Sequence, residues 1–576
     1  MNRFIWASGP WLVAVRGDEL ADIRYAGRPV LRAVRGVVRD ASWETVPATV
    51  RETASTDDGL DLTIGLVGLG ADIDARLSMR TVADTLTVTF EAHLRTPFRC
   101  SRIGLVVLHP AALAGVPLTV TSPSGATTTT QFPVALLPHQ PATDISGLAW
   151  EAEGVATELT FSGDVFEMED QRNWTDASFK TYSTPLALPF PVDLAAQTEV
   201  HQSVTIRCTR TSRVALRETE HRWPAIGLGA STAAVASPVP VTLPVAYVLV
   251  ELDANSAIWL QALDRAALEA HDRPLAVHIV ADQPGQLEPV LDALEGRSIA
   301  RLAVHDRHTQ TTEPPLWAAL RNGAATRGLA AELVGGSRSH FTELSRARDQ
   351  LPADLPALGF ALTPQMHATD DAQLVESVAM QALVTAAALE IAGDRPVHVG
   401  PVTLRPRYLT ADPDPQPDPS TDIAQGYGAE HVPGATDPRQ TSSATAAWTL
   451  ATGIAHAIGG AASVSLFETS GPRGVVDTDG TPYPSARTVG WLAEAAGAIL
   501  WEPDQPTPDD LWVAGAGTPD GPVLFAANLA STPVRVDVTA PGVSPWSVHL
   551  GPSSTDRRDA GLRFHHHESE GGDAWR

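Results

Sequence analysis

From about Pro224 the chain changes rhythm, and that change limits its possible folds more than any other feature. Short apolar runs begin to alternate with amphipathic stretches. The strand-like runs are Ala225–Ala230, Tyr247–Leu252, Leu275–Ala281, Ile299–Val304, Ala330–Val334, Gly359–Leu362, Val397–Leu404 and Ser463–Phe467. Helix candidates Ser256–His271, Gln286–Leu294, Leu316–Ala324, Ala372–Ala392 and Ser442–Ile458 lie between them. Eight β/α units over roughly 270 residues is the size and rhythm of a TIM (β/α)8 barrel. In such a barrel the residues just after the strands form the active face.

The stretches on either side of this region read differently. Before it, alternating runs recur at Leu20–Tyr25, Leu60–Leu66, Leu77–Met79, Leu86–Ala92, Ile103–Leu108, Glu158–Phe161 and Val200–Arg207, separated by Gly, Pro, Asp and Ser clusters. That spacing predicts a large β-sandwich. After it, the helix Thr488–Ile499 and a Pro/Asp-rich linker Glu502–Asp510 lead to strands near Trp512–Ala514, Val523–Ala527, Val534–Val538 and Trp546–Leu550. The expected fold class is therefore multi-domain α/β. An N-terminal β-sandwich spans residues 1–223, a central TIM barrel residues 224–500, and a small C-terminal β-sandwich domain residues 501–576. A chain of 576 residues is too long for one core, which agrees.

Charge and composition exclude several roles. The net charge of −26 argues against a nucleic-acid or anionic-membrane surface. No run approaches the roughly 18 to 20 continuous apolar residues of a membrane span. The N-terminus lacks a long apolar stretch ending in a small-residue cleavage site, so the chain reads as unprocessed and cytoplasmic. Cys100 and Cys208 show no pairing pattern and read as buried hydrophobes. The tail His565–His567 reads as a frayed terminus.

Standard catalytic motifs are missing. There is no GxSxG, no Walker A and no HExxH, and Gly65, Gly68 and Gly70 have the wrong order for a dinucleotide loop. His305, Asp306 and His308 follow the fourth strand, but their spacing is loose for a metal site and they read as loop polar residues. No metal and no cofactor is expected.

The barrel exits are richer. GGSRSHFTELSR follows strand five with His340 and Glu343, and TPQMHATDD follows strand six with Gln365, His367, Asp370 and Asp371. Strand seven ends in Arg405 and Arg407, and strand eight in LFETSGPRG with Glu468 and Arg473. Glu468 directly follows an apolar strand, where a carboxylate is more often functional than structural. Asp370 reads as a helix cap. The Pro/Asp-rich stretch Thr410–Asp422 reads as an active-site cover. A retaining glycosidase of the common barrel type needs carboxylates after strands four and seven. These exits, HDRHT and LRPR, offer no glutamate in place.

One segment outside the barrel stands apart. Of 41 Lys plus Arg, only Lys180 is lysine. In an arginine-biased chain, a lysine persists most readily where a compact, titratable charge is needed. Lys180 lies in EMEDQRNWTDASFKTY, Glu167–Tyr182, crowded with ionisable groups and with Asn173 and Trp174. Phe166, Trp174, Phe179 and Tyr182 are expected to anchor it, which is how polar site groups are held.

These motifs, with PVTLRPRY and DPRQTSSATAAWTL, resemble the D-apionate lactonase family across nearly the whole chain. The chain departs from the pattern at Ser345, where asparagine is expected, and at Pro472, where an aromatic residue is expected. The resemblance implies hydrolysis of D-apionolactone, or a close aldonolactone, to the sugar acid. It does not say which residues act. As an expectation, Glu468 or Glu343 serves as general base, Lys180 or Arg405 stabilises the oxyanion, and His367 protonates the leaving ring oxygen. Glu169, Asp170, Asn173, Trp174, Asp176, Arg405 and Gln440 are expected to bind the sugar. The expected partner is a small-molecule sugar lactone, with no nucleic acid and no membrane. A barrel glycosidase and a non-catalytic carbohydrate-binding protein remain the alternatives.

Overall fold

The structure is a computed structural model and describes residues 3–136, 140–235, 242–407 and 420–559. The His565–His567 tail and most of the Thr410–Asp422 stretch lie outside the described residues. The chain divides into two compact units, Met1–Ser212 with Thr532–Arg535, and Arg213–Ser531 with Val536–Arg576.

In the second unit the alternating rhythm becomes a closed parallel barrel. Its strands are β1 (Ala225–Gly229), β2 (Tyr247–Asp253), β3 (Leu275–Ala281), β4 (Ile299–Asp306), β5 (Glu332–Gly336), β6 (Leu358–Leu362), β7 (Val397–Val402) and β8 (Ser463–Ser470). Each pairs with the next, and β1 pairs with β8 through Ala225↔Ser463 to close the ring. Helices α1 (Trp259–Ala270), α2 (Leu287–Leu294), α3 (Pro314–Thr326), α4 (Phe341–Ala347), α5 (Asp371–Ala392), α6 (Ser443–Ile458) and α7 (Pro484–Ala495) follow or separate them. Two of these helices begin on side-chain caps. Asp370 accepts from Gln373 N at 2.9 Å and Ser442 accepts from Thr445 N at 3.2 Å. By length and composition alone α5 could cross a membrane. In this fold it packs on β7 and α6.

The strand period of two sorts each barrel strand into two faces. Val248, Val250 and Leu252 of β2 join the core between strands and helices, while Tyr247 and Glu251 turn inward. The lumen floor is polar. Tyr247 and Ser465 share a hydroxyl hydrogen bond of 2.9 Å, and Arg301 donates to Ser463 Oγ at 2.9 Å while its guanidinium lies 3.9 Å from the Tyr247 ring centre.

The helix expected over Thr488–Ile499 ends earlier, at Ala495, and the expected linker begins as a strand, Ile499–Pro503. Gly497, at φ +78, turns the chain out of the helix. The strand pairs antiparallel with Leu216–Arg222 and continues into Leu511–Thr518, Gly521–Asn528 and Ser554–Asp559. Phe525 and Ala516 of this sheet share the barrel's hydrophobic core, and Trp223 packs edge-on against Phe525 at 5.2 Å.

The first unit is an antiparallel sandwich. One sheet runs in the order Arg3–Ser8, Trp11–Arg16, Glu19–Tyr25, Arg28–Asp40, Phe98–Pro110, Ser178–Tyr182, Phe166–Asp170, Ala142–Ile145. The other centres on Val155–Ser162, the first half of Glu199–Arg222, Thr85–Leu94 and Ala71–Val82. Leu20, Leu105 and Phe179 from the first sheet meet Leu77, Phe90 and Ile206 from the second in one core. Cys100 and Cys208 are buried in it as free thiols.

Candidate functional site: a charged pocket at the barrel mouth

Glu468 ends the apolar run of β8 and is only 7% exposed. A buried carboxylate needs partners, and the residues after β1 and β8 supply them. Thr232 donates to it from its backbone N–H at 3.0 Å and from its hydroxyl at 2.6 Å. Arg473 Nε donates at 2.9 Å, and its other guanidinium nitrogens reach Glu430, Thr232 and Thr436. The carboxylate is thus fixed in place by groups from two segments, and a third, carrying Glu430 and Thr436, holds Arg473.

Glu468 lines a pocket of ≈ 130 Å³ whose walls also include Glu251, Arg307, Arg338, Arg407, Tyr427 and His431. Tyr427 and His431 come from the stretch between β7 and α6, immediately after the segment expected to act as a cover. Glu251, from the inward face of β2, is ion-paired with both Arg338 (3.2 Å) and Arg407. Burial alone would raise its carboxyl, but Arg407 and Arg338 outweigh that and hold it at about 2. Glu251 is therefore an anion at neutral pH that gathers two arginines, and with Asp253, Glu468 and Arg307 the acidic and basic side chains of the pocket wall balance. Burial holds His278 at about 4 and pushes His305 well below its ordinary value, so both are neutral at pH 7. The two rings meet edge-on at 5.4 Å.

The structure separates several residues that the sequence grouped. Glu343 and His367 do not line this pocket. They line a second one of ≈ 940 Å³, floored by Phe360 and walled by α4 and α5. Arg405 is committed to fully buried Asp437 at 2.8 Å, and Gln440 donates to the Gly474 carbonyl at 2.9 Å, so both hold loops together. Asp306 accepts from the backbone of His308 and Thr309, which makes it a turn residue, while His305 points into the lumen. Among the described residues, no group of three or more His, Cys, Asp or Glu could hold a metal ion.

Lys180, Glu169, Asp170, Asn173, Trp174 and Asp176 belong to the first unit. Glu167 faces Tyr182 and Glu169 faces Lys180 across two paired strands. Phe166 and Phe179 anchor the segment in the core as expected, but Trp174 does not: it is 71% exposed. It sits in the 3-10 turn Gln171–Trp174 between the strands, where the period-two alternation that buries Phe179 no longer applies. Lys180 is ion-paired with Glu169, Asp170 is buried against Arg172, and Asp176 is an exposed turn residue.

Glu251 and Arg338 escaped the sequence reading. The available signal was Glu251 itself, an acidic residue inside the apolar run YVLVELD.

Comparison with known proteins adds to this picture. The family model described as the D-apionate lactonase N-terminal domain matches residues 2–211. The one described as the D-apionate lactonase TIM barrel domain matches residues 230–497. A D-apionate lactonase of Brucella anthropi is 28% identical over 573 residues, covering 90% of this chain and 91% of that one. Among solved structures, a GH30 endoxylanase from Clostridium papyrosolvens C71 is 10% identical with a TM-score of 0.39, covering 60% of this chain and 98% of that one. A putative aldose 1-epimerase from Escherichia coli K12 is 12% identical with a TM-score of 0.27, covering 36% and 99%. Those two scores are too low to carry a conclusion. The two family matches and the near-full-length relative together place this chain in the D-apionate lactonase family.

Proposed function

We propose that the protein hydrolyses a sugar-derived lactone, D-apionolactone or a close aldonolactone, to the sugar acid, and that the barrel-mouth pocket carries the chemistry. The observation that supports this most directly is one buried carboxylate facing the same pocket as two guanidinium groups, in a chain of the D-apionate lactonase family.

In this reading Glu468 takes a proton from a water that attacks the lactone carbonyl. Negative charge develops on the carbonyl oxygen, and Arg338 and Arg407 stabilise it. The tetrahedral intermediate collapses with cleavage of the bond to the ring oxygen. Protonated Glu468 returns its proton to that oxygen, the new carboxylic acid loses its own proton to solvent, and the resulting carboxylate remains against the arginines. This assigns the leaving-group proton to Glu468 rather than His367, which lines the other pocket. It assigns the oxyanion to Arg338 and Arg407, which line the same pocket as Glu468, rather than to Arg405 or Lys180, which are not among that pocket's lining residues. Glycoside hydrolysis pairs one protonated carboxyl with one ionised carboxylate. Glu251, held at about 2 by its arginines, fits only the ionised role, so that reading would require Glu468 to act as the acid.

A pH-indicator screen over a panel of aldonolactones tests the proposal, since opening a lactone releases a proton. Expected is proton release from a branched or simple pentonolactone, lost in Glu468→Gln. Release of sugar from a glycoside with no lactone turned over would overturn it.

A further inference from the structure

The first unit carries a polar cluster that the barrel chemistry leaves unused, and it is assembled as a rigid platform. The turn Gln171–Trp174 is fixed from below. Asp170, fully buried, accepts from Arg172 N at 3.1 Å, Nε at 2.9 Å and Nη2 at 2.8 Å. Arg172 also donates to the Pro133 carbonyl at 2.7 Å and stacks 4.4 Å from the Phe179 ring centre. The Asn173 side chain donates to the Asp170 carbonyl at 3.1 Å, and Thr175 closes the turn at φ +68.

On this base Trp174 is 71% exposed yet not free to turn, because its indole N–H donates to Glu169 Oε1 at 3.0 Å. Glu169 pairs through its other oxygen with Lys180, whose ammonium lies 4.5 Å from the Tyr182 ring centre. Tyr182 in turn donates to Glu167, which also accepts from Leu186 N at 2.7 Å. A large aromatic held still without being buried gains nothing for folding from its open face. That face is apolar and already ordered, so a ligand meeting it loses little conformational entropy.

We propose that Trp174, Glu169 and Lys180 form a saccharide-binding subsite in the first unit, with the indole stacking on the C–H face of a neutral sugar ring. Glu169 and Lys180 lie at the edge of the indole as acceptor and donor for neighbouring hydroxyls, in charge-assisted hydrogen bonds. The balance of charge selects the ligand class. Glu169 and Lys180 neutralise each other, and Glu167 behind them is offset by Arg102, so the cluster has no spare cation for an anionic sugar acid and suits an uncharged polyol. The subsite stands whether or not the barrel pocket is a lactonase.

The test is calorimetric titration of the full chain with methyl pentosides and, separately, with aldonates. Expected is saturable binding of a methyl pentoside, weakened at least tenfold in Trp174→Ala, retained within threefold in Trp174→Phe, and unchanged in Arg407→Ala. Circular dichroism confirms that each variant is folded. No binding of any neutral saccharide, equal binding by Trp174→Ala, or loss of binding in Arg407→Ala would each overturn the proposal. The last outcome would place the sugar in the barrel pocket.

Discussion

Glu468 and Glu251 are both glutamates at the mouth of one barrel, and the proposed mechanism gives them opposite tasks. Glu468 is held by one guanidinium and one threonine and lines the pocket, where the proposal has it take the proton from water. Replacing it with glutamine keeps the shape and removes the basicity. We expect kcat to fall by about 10²–10⁴ with KM changed little, measured by initial rates on the best lactone. Glu251 acts through its arginines. Its replacement by glutamine leaves two guanidinium groups side by side without their anion. We expect kcat/KM to fall about 10-fold or more and unfolding free energy to drop by roughly 3–5 kcal/mol, read from rates and denaturant melts on the same preparation. At this scale the sequence was half legible. Glu468 was visible because it directly follows an apolar strand. Arg338 and Arg407 could not be matched to Glu251, because pairing across a barrel lumen joins residues 87 and 156 positions apart and leaves no local spacing.

Elements were more legible than residues, because periodicity is a local property. Each of the eight strand-like runs lies within or overlaps a strand of the closed barrel. Helix α4 was missed because it has only seven residues, too few for two repeats of a 3.6-residue pattern. The early end of α7 has a similar origin, since Ala496–Ala498 continues the helical composition and only Gly497 marks the turn. Capping was readable from type and position. Asp370 was expected to start α5 and does, so Asp370→Ala should destabilise the protein by about 1 kcal/mol, seen as a lowered denaturant midpoint with activity retained. A backbone constraint was invisible in sequence. A Cβ on Gly336, at φ +126, would sit 2.3 Å from the Gly359 carbonyl oxygen, where β5 meets β6. Gly336→Ala should therefore reduce soluble yield and melting temperature far more than Gly285→Ala, where nothing lies within 4 Å of the added atom.

For the whole molecule, pH is the most direct probe, because each unit buries a histidine in its neutral form. Burial lowers His109 in the first unit and His456 in the second to about 3. Both are fully buried, each with one ring nitrogen bonded to a threonine, Thr181 and Thr385. Below pH 6.5 the unfolded chain takes up protons that the folded chain refuses. Their stabilising effect is complete above that pH and declines as pH falls toward 3. Between pH 6.5 and 5 the loss should be about 2 kcal/mol per histidine. Glu251, depressed to about 2, adds a second decline only below its unfolded value of 4.5. Denaturant melts from pH 8 to 4 should show stability falling already near pH 6, with a shallower slope in His456→Gln.

The ion pairs that gather Arg338 and Arg407 around Glu251 join β2 to the loops after β5 and β7. Separating any one of these segments would leave a largely buried carboxylate short of a guanidinium partner, at a cost of several kcal/mol. The contacts that tie the barrel mouth together are therefore the same ones that set two arginines in the wall shared with Glu468.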